Sequence, residues 1–337
     1  MGTMKAAVFE GPGRLTVREC PVPQPAADEV LIRVAACGIC GTDRHIMHGE
    51  FATHPPVIIG HEMAGTVVAV GADVADLHEG DPVAIDPNIL CGMCRPCQRG
   101  VVHMCQHLTA LGVDRDGGFA EYAVAPRKQC YRLPEGVSLL QGAMVEPLAC
   151  CVHGIDLAGI RPGDRVIVIG GGAIGQLLAQ LARLCGAATV VVSDPVPERR
   201  ALALSLGADA VCDPLTTDPT APGMLVEGGA DVVIEAVGSQ PTTRQALAWA
   251  APGGTVLWFG VTPPGQTIPV EPNMIFQKEL RIQGARINPF THSRAVALLG
   301  SGRVDVAPLI TRQISLDELP TELADPKPGQ IKTVVLP

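Results

Sequence analysis

A glycine-rich turn directly after a run of apolar residues is the feature that most restricts the fold of this chain. Residues 166–169 are all valine or isoleucine, which is typical of a strand buried on both faces of a parallel sheet. The next six residues fit G-x-G-x-x-G and open a stretch with helical periodicity over 174–185; they are Gly170, Gly171, Gly172, Ala173, Ile174 and Gly175. This order of strand, glycine turn and helix predicts a doubly wound α/β domain that binds a dinucleotide.

Each glycine of this turn has a separate physical role in such a site. Gly170 allows the tight turn, Gly172 lets the backbone approach a pyrophosphate, and Gly175 lets the helix pack closely on the strand. Ala173 and Ile174 begin the helix, whose free N–H groups and partial positive charge favour phosphate binding. A glycine turn that binds no ligand is the alternative interpretation.

An acidic residue follows at the distance expected for a ribose ligand. Asp194 ends the next predicted strand, 189–193, and lies 19 residues beyond Gly175. A carboxylate there accepts hydrogen bonds from the adenosine ribose and repels a 2′-phosphate, which predicts NAD as the cofactor. Arg199 and Arg200 lie nearby and could instead bind the 2′-phosphate of NADP.

The pattern of the chain changes near residue 150. After it, strand and helix alternate, which predicts a parallel sheet; the further elements are a helix over 197–206 and strands over 231–236 and 255–260. Before it, short and partly alternating runs separated by Gly and Pro predict a small β-rich domain with a barrel-like or sandwich core; these runs are 15–19, 30–36 and 62–70. A helix over 293–299 and a strand over 333–336 form a tail that the pattern does not place.

Charge and composition exclude several classes of partner. The net charge is −9 with no cluster of Lys or Arg, which argues against nucleic acid or an anionic membrane surface. The apolar stretch 166–182 is shorter than the roughly 20 residues of a spanning helix and contains four glycines. The first ten residues show no secretory signal. We therefore expect a cytoplasmic protein, in which clustered cysteines are more often metal ligands than disulfides.

Four of the twelve cysteines fall in one short segment with the spacing C-x2-C-x2-C-x7-C; they are Cys91, Cys94, Cys97 and Cys105. Four thiolates this close in sequence can enclose one tetrahedral zinc ion in a closed, structural site. An iron–sulfur cluster is the alternative that spacing leaves open. Four unrelated core cysteines are disfavoured because the segment is polar and rich in turns.

A second set of chemically active residues is spread over more than one hundred positions. Cys40 follows Cys37 in a C-x2-C pair, His61 and Glu62 come about twenty residues later, and Glu146 precedes the strand–helix region. Cys40 and His61 are suitable zinc ligands. Taken singly, each residue also has a structural interpretation, and the C-x2-C pair has a redox one.

Together these motifs resemble a known family over essentially the whole chain. C-G-I-C-G-T-D at 37–43, G-H-E at 60–62, the four-cysteine loop at 91–105 and the glycine turn at 170–175 are similar to the zinc-containing medium-chain alcohol dehydrogenases. Glu146, in M-V-E-P-L, resembles the sorbitol and threonine dehydrogenase branch, whereas simple alcohol dehydrogenases carry a cysteine at the matching position.

The resemblance implies a catalytic zinc held by Cys40 and His61, with Glu62 and Glu146 as direct or water-bridged ligands. With the four-cysteine loop this makes two zinc ions per chain. It further implies that Thr42, with His45, relays the alcohol proton to solvent; these two residues lie in the segment 41–45.

The family organisation implies a GroES-like catalytic domain over 1–150, completed by 287–337, and a Rossmann NAD-binding domain over 151–286. It places Arg199 beside the adenosine, and the cleft between the domains is the expected active site. The region 285–290 is shorter than in sorbitol dehydrogenases, so substrate contacts are not carried over to it.

The activity that follows is NAD-linked oxidation of a secondary alcohol on a polyol by a homotetramer or homodimer. L-Threonine, butanediol or a cyclitol are alternative substrates. A non-catalytic nucleotide-binding relative is a different class of function, and the joint presence of the four residues expected at the catalytic zinc argues against it.

Overall fold

A computed structural model describes residues 2–325, 327 and 329–337. Met1, Pro326 and Pro328, which the domain prediction included, lie outside the described residues. The chain divides into two compact units: unit 1 comprises Met1–Ala149, Pro289–Gly302 and Ile310–Pro337, and unit 2 comprises Cys150–Asn288 and Arg303–Leu309. The seven-residue segment Arg303–Leu309 of unit 2 therefore interrupts the C-terminal part of unit 1.

Unit 1 is rich in short strands. Its strands are β1 (Thr3–Gly11), β2 (Arg14–Pro21), β3 (Glu29–Gly38), β4 (Val57–Ile58), β5 (Glu62–Val70), β6 (Pro82–Ile85), β7 (Asn88–Ile89), β8 (Thr109–Ala110), β9 (Tyr122–Pro126) and β10 (Cys130–Arg132). Its helices in this part are α1 (Gly41–Met47), α2 (Arg95–Gln98) and α3 (Leu139–Gly142), and α4 (Val145–Ala158) continues past Ala149 into unit 2.

Unit 2 alternates strands and helices. The elements are β11 (Arg165–Ile169), α5 (Ala173–Leu184), β12 (Thr189–Ser193), α6 (Pro197–Ser205), β13 (Ala210–Cys212), β14 (Ala230–Glu235), α7 (Gln240–Trp249), β15 (Ala250–Trp258), α8 (Pro272–Lys278) and β16 (Arg281–Gly284). The chain then returns to unit 1 with α9 (His292–Gly300), β17 (Ile310–Ser315), α10 (Leu319–Ala324) and β18 (Lys332–Leu336).

The six strands of unit 2 form one parallel sheet in the order β13-β12-β11-β14-β15-β16. The chain runs outward from β11 on one side and then resumes at β14 on the other, so the strand order reverses between β11 and β14. In open α/β sheets, ligands bind at the carboxyl ends of the strands beside such a reversal. The α/β prediction is confirmed.

The main sheet of unit 1 has the order β10-β6-β5-β3-β18-β17, and β9 also pairs with β3. A three-stranded sheet, β2-β1-β4, and the short pair β7-β8 complete the β structure of its described residues. Large side chains that are fully buried, such as Phe9, Ile32, Met63 and Phe119, lie in one hydrophobic cluster of this unit. The predicted β-rich domain is confirmed, and the unplaced tail contributes β17 and β18 to it.

The glycine turn joins β11 to α5. Gly170 has φ +101°, a backbone conformation that favours glycine. A Cβ atom on Gly175 would lie 1.7 Å from the Gly170 carbonyl oxygen, so a side chain at that position would force helix and strand apart. The apolar stretch 166–182 is thus divided between β11 and α5, and in the described part of the chain no helix is long and apolar enough to span a bilayer.

The predicted and observed strand bounds differ most in β15, which begins at Ala250 instead of residue 255. Pro252 and Gly253, which precede residue 255, are residue types common in turns. Pairing of Ala230 with Ala250, followed by a register shift before Val232, carries the strand across these residues. Sheet pairing therefore overrides the local turn preference.

Candidate functional site

Three strands bring the chemically active residues of unit 1 together. Gly38, at the end of β3, is the register partner of Glu62 in β5 and of Val334 in β18. Cys40 then caps α1 in an extended conformation, and its backbone N–H donates to Asp43 Oδ2 at 2.8 Å. Residues from both ends of unit 1 therefore meet at one end of its main sheet.

Cys40, His61 and Glu62 form a potential metal site, because one ligand atom from each lies within 4.8 Å of the other two. His61 and Glu62 are buried. The His61 Nδ1 atom lies 3.6 Å from Asp43 Oδ1, which is itself fully buried. This distance is longer than a hydrogen bond, and a carboxylate on the Nδ1 side of the ring would leave Nε2 to bind a metal. A set of S, N and O donors suits zinc.

The protonation of His61 depends on the charges around it. Burial lowers its pKa, but the Cys40 thiolate and the Asp43 carboxylate outweigh burial and raise the pKa well above the ordinary value. A bound metal requires the neutral ring, so metal binding would release this proton and weaken as the pH falls.

Lys332 is a residue of this site that the sequence analysis missed. It is 6% exposed, forms a short ion pair with Glu62 and donates from Nζ to the Ile39 carbonyl oxygen at 2.9 Å. Burial lowers the pKa of Lys332, but the negative charges of Glu62 and Cys40 raise it by more. The net effect is a pKa above the ordinary value for lysine. A Cβ on Gly38 would lie 2.8 Å from the Lys332 Cε atom and closer still to Glu62, so only glycine leaves room for the pair. A lone lysine directly before the apolar run 333–336 was the signal available in the sequence.

Glu146 lies in the first turn of α4 and is 8% exposed. Its charge acts on Lys332, so it belongs to the same charged region. It is outside the three-residue ligand group formed by the described residues, and its role as a zinc ligand stays a prediction.

The two residues expected to relay a proton both lie on α1. The Cys40 Sγ atom is 3.7 Å from the Thr42 Oγ1 atom, next to the ligand group. His45 is partly exposed, and its Nδ1 atom lies 2.6 Å from Glu50 Oε2. Thr42 therefore lies at the ligand end of α1, whereas His45 has access to solvent.

Cys37 does not behave as one half of a redox pair. It is fully buried in β3, and burial, with the charges of Asp43 and Glu62, raises the pKa of its thiol well above normal. A raised pKa favours the protonated thiol, which is a poor nucleophile.

The four cysteines of the loop converge on a separate point in unit 1. The sulfur atoms of Cys94 and Cys97 lie 3.4 Å apart, those of Cys91 and Cys105 lie 3.5 Å apart, and all four are within 4.8 Å of one another. A zinc ion bonded tetrahedrally to four sulfurs would keep them about 3.8 Å apart. The spacing therefore fits a single ion.

Backbone N–H groups stabilise thiolates in this loop. Hydrogen bonds from the N–H groups of Cys97 and Gln106 lower the pKa of Cys94 to about 6. Burial raises the pKa of Cys97 to about 12, so binding a metal there would displace a proton.

In unit 2, the acidic residue after β12 meets the glycine turn. Asp194 is 3% exposed, and its Oδ2 atom accepts a hydrogen bond from Gly171 N at 2.7 Å. The Arg199 Nη1 atom lies 3.7 Å from the same oxygen. Gly172 caps α5, and a Cβ there would have no neighbour within 4 Å, which leaves space for a ligand beside Ala173 and Ile174 in the first turn. A helix N-terminus with open space beside it is a common place for phosphate groups to bind, and the role of these residues in dinucleotide binding stays a prediction.

Each of the two units contains most of a segment that matches a known protein family. Residues 26–135 match the family Alcohol dehydrogenase GroES-like domain, and residues 173–299 match the family Zinc-binding dehydrogenase.

Similar proteins span almost the whole chain. A D-arabinitol dehydrogenase of Uromyces fabae is 35% identical over 94% of this chain and 91% of its own length. An L-threonine 3-dehydrogenase of Pyrococcus horikoshii is 39% identical over 88% of this chain and 86% of its own length. The crystal structure of a candidate zinc-binding dehydrogenase from Sinorhizobium meliloti, bound to NADP, is 46% identical with a TM-score of 0.98, and the match covers 100% of both chains.

The two ligand groups predict two zinc ions with different roles. Elemental analysis of the purified protein should give two zinc ions per chain. Cys91→Ser should remove one and lower the free energy of unfolding by about 4 kcal/mol or more, because a closed metal site stabilises the fold. Cys40→Ser should also remove one zinc, abolish turnover and leave the denaturation midpoint nearly unchanged.

Cys185→Ser, at an exposed position after α5, is the matched control and should retain both zinc ions. Iron in place of zinc at the loop, or stability loss in Cys40→Ser with full activity in Cys91→Ser, would contradict the assignment.

Proposed function

The chain belongs to the zinc-binding, GroES-like alcohol dehydrogenase family, and on this premise we propose that it oxidises a secondary hydroxyl group of a polyol to a ketone with NAD as the hydride acceptor. An oxidoreductase of the alcohol dehydrogenase type acts on a small-molecule alcohol. The polyol, NAD and the roles of individual residues are the parts proposed here.

Zinc and the nicotinamide cofactor would supply one part of the chemistry, and side chains of the protein would supply the other. Zinc, held by Cys40 and His61 with Glu62 and Glu146 as direct or water-bridged ligands, would lower the pKa of the substrate hydroxyl. The nicotinamide would accept the hydride. Thr42 lies next to the ligand group and receives the hydroxyl proton, and His45, which is partly exposed, passes it to solvent.

The observation that carries the polyol proposal is Glu146, a carboxylate at the position where simple alcohol dehydrogenases carry a cysteine. It is 8% exposed and lies in the same charged region as Lys332. Groups that hydrogen-bond substrate hydroxyls strongly reject analogues without them, because the buried polar groups are then left unpaired. The relationship to a D-arabinitol dehydrogenase supports the same substrate class.

L-Threonine is the second candidate substrate. It also carries a secondary hydroxyl next to further polar groups, and the L-threonine 3-dehydrogenase of Pyrococcus horikoshii is 39% identical to this chain.

The preference for NAD rests on Asp194. Its carboxylate is fixed at the end of β12 by the N–H groups of Gly171 and Val196, each at 2.7 Å, and a fixed negative charge repels a 2′-phosphate. NADP is the alternative, favoured by Arg199 beside Asp194 and by the NADP bound to the similar Sinorhizobium meliloti protein.

We further propose a cytoplasmic homodimer or homotetramer. β16 ends the sheet order of unit 2 and is mostly exposed, and Phe276 in the preceding helix is 77% exposed. An edge strand with no further partner among the described residues favours association, and so does an exposed aromatic ring. Sedimentation velocity at micromolar concentration should give at least twice the monomer mass, and a monomer alone would contradict the proposal.

For the cofactor, we expect wild-type kcat/KM to be at least about tenfold higher with NAD than with NADP, a difference of about 1.4 kcal/mol. Asp194→Ala should narrow this ratio, since the repulsion of the 2′-phosphate is removed. Asp231 lies near the start of β14, at the end of the same sheet away from Asp194. Asp231→Ala is the control and should leave the ratio unchanged. A wild-type preference for NADP would refute the NAD proposal.

For the substrate, kcat/KM should be about 100-fold or more higher for a vicinal polyol than for ethanol, by analogy with sites that recognise hydroxyls. The panel is sorbitol, xylitol, arabitol, inositol, butanediol, threonine and ethanol on one zinc-loaded preparation. Glu146→Cys should shrink the preference or abolish activity, whereas Glu135→Cys, at an exposed position, should do neither. Ethanol as the best substrate would overturn the polyol proposal, and threonine as the best would replace the polyol by the second candidate.

A further inference from the structure

Glu235 is a fully buried carboxylate that none of the functional groups described above uses. It is the last residue of β14 and is 0% exposed. Its register partners are Ile169, directly before the glycine turn, and Trp258, at the end of β15. Glu235 therefore stands at the carboxyl edge of the sheet, beside the reversal of strand order where a dinucleotide would bind.

The side chain of Glu235 holds the turn that follows it. Its Oε1 atom accepts hydrogen bonds from Val237 N at 2.9 Å, Gly238 N at 2.8 Å and Thr242 Oγ1 at 2.8 Å. Within the described chain, Oε2 has no hydrogen-bond partner. All the side-chain bonds therefore converge on one oxygen.

The main chain of Glu235 holds the next turn along the sheet edge. Its carbonyl oxygen accepts from Phe259 N and Gly260 N, each at 2.9 Å. A Cβ on Gly260 would lie 2.1 Å from Gly238 N, and one on Gly238 would lie 2.5 Å from the Val261 carbonyl oxygen. The turns after β14 and β15 are thus in direct backbone contact, and both are attached to Glu235.

The turn after β14 also packs on the glycine turn. A Cβ on Gly170 would lie 2.7 Å from Val237 Cγ2. Val237 and Val261 are apolar, yet they are 51% and 71% exposed. Exposed apolar side chains beside a ligand crevice are typical of a surface that a bound molecule covers.

We propose that Glu235 is a positioning residue for the dinucleotide: it fixes the turns after β14 and β15 so that they form the wall of the crevice opposite the helix N-terminus. The inference rests on the proposed dinucleotide dependence. Glu235 would act by fixing the shape of the site, because the hydrogen bonds to its Oε1 atom determine where Val237 and Gly238 lie.

The test is a fluorescence titration of NADH into zinc-loaded wild-type, Glu235→Ala and Glu235→Gln proteins, each checked for a cooperative thermal melt. Glu235→Ala should raise the Kd for NADH at least tenfold. Glu235→Gln should stay within threefold of wild type, because its carbonyl oxygen can accept the same three bonds and its NH2 group replaces an oxygen that has no donor. Glu227→Ala, an exposed acidic residue of the same unit, is the control and should bind like wild type.

A wild-type affinity in Glu235→Ala would overturn the inference alone, whereas failure of the wild-type protein to bind NADH or NADPH would overturn the proposed function as well. If Glu235→Gln binds as weakly as Glu235→Ala, the charge and not the position of the turn is what matters, and the positioning role is wrong. If Glu235→Ala does not fold, Thr242→Val removes one of the three bonds; the Kd should then rise about threefold, and an unchanged Kd would overturn the proposal.

Discussion

The buried ion pair between Lys332 and Glu62 is the interaction on which the chemistry of unit 1 depends. Removing two charges from water costs several kcal/mol per ion, so such a pair is stable only with close geometry and additional hydrogen bonds. The Ile39 carbonyl supplies one such bond, and the absence of a side chain at Gly38 supplies the space. Because Lys332 begins β18 and Glu62 begins β5, the pair joins β18 to the strand that directly follows His61.

The charge around this pair explains why a metal ion suits the site. Glu62 lies in the ligand group with Cys40, Asp43 lies beside His61, and the charge of Glu146 acts on Lys332. Lys332 offsets one of these negative charges. Burial disfavours each charged group, whereas a nearby opposite charge favours it. A divalent cation bound to S, N and O donors would compensate the remaining charge.

In the described part of unit 2, carboxylates hold main-chain turns in place and do not gather in a ligand group. Asp194 and Glu235 both end strands of the parallel sheet, and both accept hydrogen bonds from main-chain N–H groups of nearby turns. The turns are shaped by these bonds and by glycines whose neighbours leave no room for a Cβ, such as Gly175 and Gly260. Main-chain contacts therefore determine the shape of these turns, and such turns suit phosphate groups, which must approach N–H donors closely.

The sequence by itself determined the features that depend on residues close together along the chain, such as the bounds of helices and strands. β5 and β12 have the bounds that their apolar patterns predict, and α5 and α6 end within one residue of theirs, because burial periodicity is a local property. The four-cysteine loop is local as well, since its four cysteines lie within 15 positions. For Cys40 and His61 a resemblance was needed, since neither residue alone is distinctive.

Only the tertiary structure decided the long-range contacts. Lys332 reaches the Ile39 carbonyl across 293 positions, and no local pattern indicates that β18 pairs with β3. Glu235 resembles an ordinary last residue of a strand until the turns after β14 and β15 close around it. Lys332 and Glu235 are buried because sheet pairing fixes which residues become neighbours. The free energy of that pairing belongs to the assembled sheet and not to any one segment.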